Sequence, residues 1–214
     1  MKILVTGFEP FGGAVINPAY EAVKRLPDVI AGAEVIKIEI PTVFEKDEEV
    51  VRTAVEKHHP DAILCVGQAG GRSGITVEKV AINLMEARIP DNDGKQPIDA
   101  TIKEDGENAY FSSLPVKCMV QYIKEAKIPA RVSYTAGTFV CNDIMYRVLY
   151  MIDKEYPHMR GGFVHVPYLP EQTLDLPEGT PGMPVEMTAK ALECSVRAIV
   201  ENEEDVKTIS GETH

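Results

Sequence analysis

Short apolar runs, each cut off by glycine or proline and followed by a stretch of helical period, recur along the whole chain. Few architectures tolerate that alternation. Lys2-Ile3-Leu4-Val5-Thr6 stops at Gly7, residues 62–66 stop at Gly67, and residues 162–166 stop at Pro167. Runs that are apolar on both faces read as strands buried inside a sheet. Residues 34–40 alternate instead and end at Pro41, residues 75–84 read as one further strand, and residues 130–135 read as extended. Between them, Asn17-Pro18 is a helix cap followed by proline at the first helical position, with the helix reaching about Leu26. Residues 45–58 carry Val50, Val51, Ala54 and Val55 at helical spacing, with acids early and basic residues late, as the helix dipole favours. Helices are also expected over residues 115–126, 142–154 and 185–200, a polar loop over 90–97 and a proline-rich connection over 167–184.

Strands that alternate with amphipathic helices predict an α/β fold: one three-layer α/β/α domain around a twisted, mainly parallel sheet. It should occupy residues 1–200, with residues 201–214 a polar tail that frays. In such sheets ligands bind outside the carboxyl ends of strands. The loops after Thr6, Val66, Thr135 and Val166 are therefore where function is expected.

Composition narrows the partners. The net charge of −11 repels phosphate backbones and anionic lipid, which argues against nucleic acid and membrane surfaces. Met1-Lys2 runs straight into Ile3, leaving no room for a signal peptide, and no apolar run approaches the roughly 20 residues of a membrane span. Cys65, Cys118, Cys141 and Cys194 have neither CxxC nor zinc-site spacing. They read as reduced thiols of a cytoplasmic protein.

Among the four, Cys141 stands apart. It follows an extended segment and the stretch Ala136-Gly137-Thr138-Phe139-Val140, and opens an expected helix. A thiol there sees backbone N–H groups and the positive dipole end, which favours thiolate and could hold an oxyanion. Position alone fits a buried structural cysteine equally well. Cys65 lies in an apolar run, and Cys118 and Cys194 lie in amphipathic helices, so each reads as core. Of the five histidines, only His165 interrupts a strand, just before Pro167. One helix and one strand separate it from Cys141; on neighbouring strands the two side chains would emerge at the same sheet edge and could pair. A third group should fix the imidazole tautomer. Glu78 is the leading choice, although by itself it is one of 33 acids.

Three long, ordered segments carry a resemblance. Ser133-Tyr134-Thr135-Ala136-Gly137-Thr138-Phe139-Val140-Cys141-Asn142 resembles the cysteine signature of the pyroglutamyl peptidase I family of cysteine peptidases. Gly67-Gln68-Ala69-Gly70-Gly71, continuing through Ile75-Thr76-Val77-Glu78-Lys79-Val80-Ala81-Ile82-Asn83, is similar to its glutamate signature. Val5-Thr6-Gly7-Phe8-Glu9-Pro10-Phe11-Gly12-Gly13, with Asn17-Pro18, is similar to its substrate loop, and Phe163-Val164-His165-Val166-Pro167 completes the match.

The resemblance implies hydrolysis of the bond after an N-terminal pyroglutamyl residue of peptides, by a Cys141–His165–Glu78 triad through a thioester. Arg88 matches a family arginine near the reacting carbonyl. Phe8 and Phe11 match the walls of the lactam pocket and Asn17 and Gln68 its amide partners, with Ile89, Phe139 and Val140 completing it. It also implies no cofactor and a homo-oligomer, expected to be a tetramer. A phosphate-binding rival would use the glycines at 7–13 or 67–74, but neither stretch fits GxGxxG or GxxxxGK[ST]. A redox sensor, or a binder of pyroglutamyl peptides without turnover, would use Cys141 or the pocket alone.

Overall fold

The computed structural model describes residues 1–211. The chain opens with β1 (Lys2–Phe8), buried from Ile3 onward, and turns through a loop into α1 (Pro18–Val23). Asn17 caps that helix, its Oδ1 accepting from the Ala19 N–H at 3.0 Å. A short β2 (Val29–Ile30) leads into β3 (Ala33–Ile40), α2 (Lys46–His58) and the buried β4 (Ala62–Gln68). The strand expected over residues 75–84 is two strands, β5 (Ile75–Glu78) and β6 (Val80–Ile82). They part at Lys79, whose N–H donates to the Ser133 carbonyl while its own carbonyl accepts from Ser112. β6 then pairs with β7 (Ala109–Phe111) in a separate two-stranded ribbon. The rest of the chain is α3 (Val116–Glu125), β8 (Ala130–Ser133), α4 (Val140–Lys154), β9 (Arg160–Val166) and α5 (Val185–Glu201).

The main sheet has seven strands in the order β2-β3-β1-β4-β9-β5-β8. β3, β1, β4 and β9 are parallel, so the carboxyl ends of β1, β4 and β9 meet at one edge. α1, α3 and α5 cover one face around Val5, Leu64, Val164 and Leu192. α2 and α4 cover the other around Leu4, Ile63, Ile144 and Phe163. The expected three layers are present, with a mainly parallel sheet.

Two expectations need correction. β8 and β9 are not neighbours: β5 lies between them, parallel to β8 and antiparallel to β9. A simple parallel crossover therefore does not bring Cys141 to His165. The tail, expected to fray, makes polar contacts as far as Ser210, whose carbonyl accepts from the Tyr134 hydroxyl at 3.1 Å. α3 begins at Pro115 without a side-chain cap, and Asp205 supplies one from the tail. Its Oδ1 accepts from the N–H groups of Lys117 at 2.9 Å and Cys118 at 3.0 Å, which an uncapped helix start would leave orphaned. Residues 212–214, His214 among them, lie outside the described residues.

The helix that starts with the cysteine is pinned by a buried ion cluster. The Arg147 side chain is 4% exposed; its Nε donates to Asp143 at 2.8 Å and its Nη1 to Glu48 of α2 at 2.7 Å. Lys103 reaches the same Glu48 at 3.0 Å. Removing one member leaves buried carboxylates without their cation. Arg147→Met should cost about 3–5 kcal/mol of stability, read as a lower urea midpoint at unchanged slope.

Candidate active site

Glu78 closes β5 with no exposed surface, and its backbone pairs with Phe163 on β9 and Ser133 on β8. Thr76 pairs with His165, so Glu78 and His165 are diagonal neighbours on the same face of an antiparallel pair. Glu78 Oε1 lies 2.7 Å from His165 Nδ1. That contact assigns the proton to Nδ1 as donor and leaves Nε2 as an acceptor.

Cys141 reaches this pair by a different route. After β8 the chain runs through residues 134–139 and starts α4 at Val140, so Cys141 sits in the first helical turn. Its neighbour Asn142 fixes that start. The Asn142 Oδ1 accepts from Ile82 N–H at 3.0 Å, and its Nδ2 donates to the carbonyls of Ile82 at 2.8 Å and Leu84 at 3.0 Å. Below the thiol lies Gly67, which is register partner to His165 in β4–β9 pairing. A Cβ on Gly67 would stand 2.8 Å from Cys141 Sγ and 2.7 Å from the Phe163 ring, so only glycine lets the sulfur settle there.

Cys141 and His165 line one cavity of 270 Å³. Its walls are Phe8, Phe11, Phe139 and Val140, and Phe11 and Phe139 stand 6.3 Å apart between centroids. Asn17 and Gln68 also line it, but neither amide is wholly free. Asn17 spends its oxygen on the α1 cap and its Nδ2 donates to the Glu9 carbonyl at 3.0 Å. Gln68 Oε1 accepts from Gln172 at 3.0 Å, which aims the Gln68 amino group elsewhere. Arg88 and Ile89 do not line this cavity. They are exposed and line an adjoining one, which shares Phe11 and Gln68 with it and continues to Tyr168, Glu171 and Asp175.

Arg72 is the cation that does line the cavity, and sequence reading passed over it inside a glycine-rich loop. Gln172 was missed likewise. An arginine six residues before a strand acid that needs a partner is the signal that could have found the first.

Charge in the site is set by burial. Burial pushes the Glu78 carboxyl up, but His165 and Arg72 outweigh it and hold it below the usual carboxylate range. Burial pulls the His165 imidazole down, more than Glu78 holds it up. Burial also pushes the Cys141 thiol up, Glu78 and Asp47 add to that, and Arg72 opposes it. The helix N-terminus alone suggested a thiolate. Burial works against that thiolate and against the imidazolium as well, favouring thiol and neutral imidazole as the pair. Such a pair can pass the thiol proton to Nε2 as a carbon electrophile is attacked. Among the described residues no group of three or more His, Cys, Asp or Glu is arranged to hold a metal ion.

Comparison with known proteins gives one answer. The family model described as pyroglutamyl peptidase matches residues 1–202. The pyrrolidone-carboxylate peptidase of Enterococcus faecalis is 57% identical over 214 residues, covering 100% of both chains. That of Clostridium botulinum is 57% identical over 212 residues, covering 99% of each. The crystal structure of pyroglutamyl peptidase I from Bacillus amyloliquefaciens superimposes with a TM-score of 0.94 at 50% identity, covering 97% of this chain and 98% of that one. A mutant pyrrolidone carboxyl peptidase from Pyrococcus furiosus gives 0.90 at 41% identity, covering 94% and 99%.

The close seat of the sulfur is testable without any substrate. Gly67→Ala should destabilise the protein by about 1–3 kcal/mol through overpacking. Part of that loss should return in the Cys141→Ala background, which removes one of the two clashing groups. A double-mutant cycle by urea denaturation measures the coupling.

Proposed function

The chain belongs to the pyroglutamyl peptidase family, and from that membership we infer that it is a thiol-dependent hydrolase that removes N-terminal pyroglutamate from peptides. The observation that carries a Cys141–His165–Glu78 triad is the shared cavity of thiol and imidazole, with the imidazole held at 2.7 Å by a buried carboxylate.

The reaction follows from the groups present. The pyroglutamyl ring enters between Phe8, Phe11 and Phe139; as a lactam it brings no charged amine, so an apolar pocket with few polar groups suits it. Cys141 Sγ attacks the carbonyl carbon that joins pyroglutamate to the next residue, while His165 Nε2 takes the thiol proton. Glu78 accepts from Nδ1–H throughout and stabilises the imidazolium that forms. The Val140 and Cys141 N–H groups, in the first turn of α4 and without intrahelical partners, face the developing oxyanion. The imidazolium then gives its proton to the departing amine, the C–N bond breaks, and a thioester remains. Water attacks that thioester with His165 as base, releasing pyroglutamate and the free thiol.

The remaining pocket assignments rest on shape. Asn17 holds the loop that carries Phe11, and the Gln68 amino group, with its oxygen already bound to Gln172, offers a donor to the lactam carbonyl. Val140 backs the ring. Arg88 and Ile89, exposed along the adjoining cavity, are assigned to the side of the departing peptide, and the oxyanion contact of Arg88 rests on the family resemblance.

The cytoplasm is the proposed location, supported by four free cysteines, of which the nucleophile must stay reduced. Among the described residues no helix is long and apolar enough to cross a membrane. The proposed homo-oligomer, a tetramer, rests on the family resemblance.

The deciding assay incubates reduced protein with pyroglutamyl and leucyl aminocoumarin amides. Release from the pyroglutamyl amide alone is expected, lost on iodoacetamide treatment and falling at least about 10³-fold in Cys141→Ser and in His165→Asn. Equal release from both amides, or full activity in Cys141→Ser, would overturn the assignment.

A further inference from the structure

Arg72 takes no part in the reaction just described, yet its guanidinium joins three pieces of the site. Nη1 donates to Glu78 Oε1 at 2.6 Å and to the Thr76 hydroxyl, and Nη2 donates to the Thr135 carbonyl at 3.2 Å. Thr76 and Glu78 are both on β5, and Thr135 opens the loop that leads to Cys141. The loop bearing Arg72 packs against Tyr168 at Gly70, where a Cβ would stand 2.1 Å from the ring. Arg72 N–H also closes a turn onto the Ala69 carbonyl at 3.3 Å.

The oxygen that Arg72 holds is the one His165 uses. Glu78 Oε1 accepts from both, while Glu78 Oε2 is buried with no hydrogen-bond partner. A wholly buried carboxylate with one satisfied oxygen needs a cation beside it to stay ionised. Arg72 Nη1 also lies 3.5 Å from His165 Nδ1. With the Nδ1 proton committed to Glu78, both atoms are donors and that approach is repulsive. A charge so placed disfavours the imidazolium relative to the neutral ring.

We propose that Arg72 is a positioning residue of the catalytic site, which aims Glu78 Oε1 at the imidazole, keeps that carboxylate charged, and makes the His165 imidazolium a stronger acid toward the departing amine. The proposal rests on the peptidase reading. A Glu–His pair without the cation would hold its proton more tightly and give it up less readily. Arg72 divides that strength: Glu78 still orients the ring, but part of its negative charge is already answered. The same cation opposes the two carboxylates that bear on the thiol, Glu78 and Asp47, and so eases the passage of the thiol proton to His165.

The charged and titratable groups facing His165 and its partner thiol are Glu78 on β5, Arg72 in the preceding loop, Cys141 on α4, Cys65 on β4 and Asp47 on α2. Removing Arg72 leaves the negative members unopposed. The direction follows: both His165 and Cys141 then hold their protons to higher pH. Whichever of the two sets it, the acid limb of kcat/KM moves up.

Full-length wild-type, Arg72→Gln and Arg72→Lys proteins, each checked for folding by circular dichroism, would be assayed on a pyroglutamyl aminocoumarin amide from pH 5 to 10, pH values chosen to bracket the ordinary His and Cys ranges. Arg72→Gln should lose about 10–100-fold in kcat/KM, the worth of a charged hydrogen bond. Its acid limb should rise by about one pH unit. Arg72→Lys keeps the charge but not the fork, so its limb should stay near wild type while the rate recovers in part. In parallel, the imidazole NMR titration of His165, assigned with His165→Asn, should rise in Arg72→Gln. A folded Arg72→Gln with an unmoved limb and an unmoved His165 titration would overturn the proposal. Absence of wild-type turnover would instead defeat the peptidase reading, and the NMR arm would still decide whether Arg72 governs His165.

Discussion

A carboxylate shut away from water has to be answered by charge and hydrogen bonds, and Glu78 is shut away completely. Its surroundings read as that answer. His165 comes from β9 on one side, and Arg72 folds back from the loop before its own strand. The strand order makes this possible. Because β5 is inserted antiparallel between β9 and β8, its last residue lands diagonally beside the histidine rather than at the far end of the sheet.

The thiol is held from the opposite direction. Nothing in the sheet pairing fixes α4 over the site; Asn142 does so by engaging the backbone of β6, and Arg147 does so by gathering Asp143 and Glu48. A helix start without its own side-chain cap would otherwise be free to fray. Gly67 then sets the depth to which the sulfur sinks. Orientation of the thiol thus rests on polar contacts of the next residue, Asn142, and of Asp143 and Arg147 further along α4, where small losses become large errors in geometry.

The glycine-rich stretches, which a phosphate-binding reading would have used, serve close approach instead. Gly67 makes room for the thiol and the Phe163 ring, and Gly70 makes room for the Tyr168 ring. Arg72, in the same loop, is held by its own hydrogen bonds to Glu78, Thr76 and Thr135.

Much of this was legible in the residues. The period of the apolar runs determined the α/β layering and most element positions, because strands buried on both faces and amphipathic helices leave different marks on a sequence. Asn17 and Pro18 announced α1 through local capping chemistry alone. Cys141, His165 and Glu78 were nameable because long ordered segments carry them. Other features were invisible to local reading. The break at Lys79, the cap that Asp205 lends to α3, and the separation of Arg88 from the cavity of Cys141 all depend on which segments meet in space. The balance between helix dipole and burial at the thiol did too. Sequence by itself determined which residues are available for chemistry, since side-chain type and local period are written in the chain. Only the tertiary structure decided their charge states and partners, because desolvation and ion pairing depend on neighbours that lie far away along the chain.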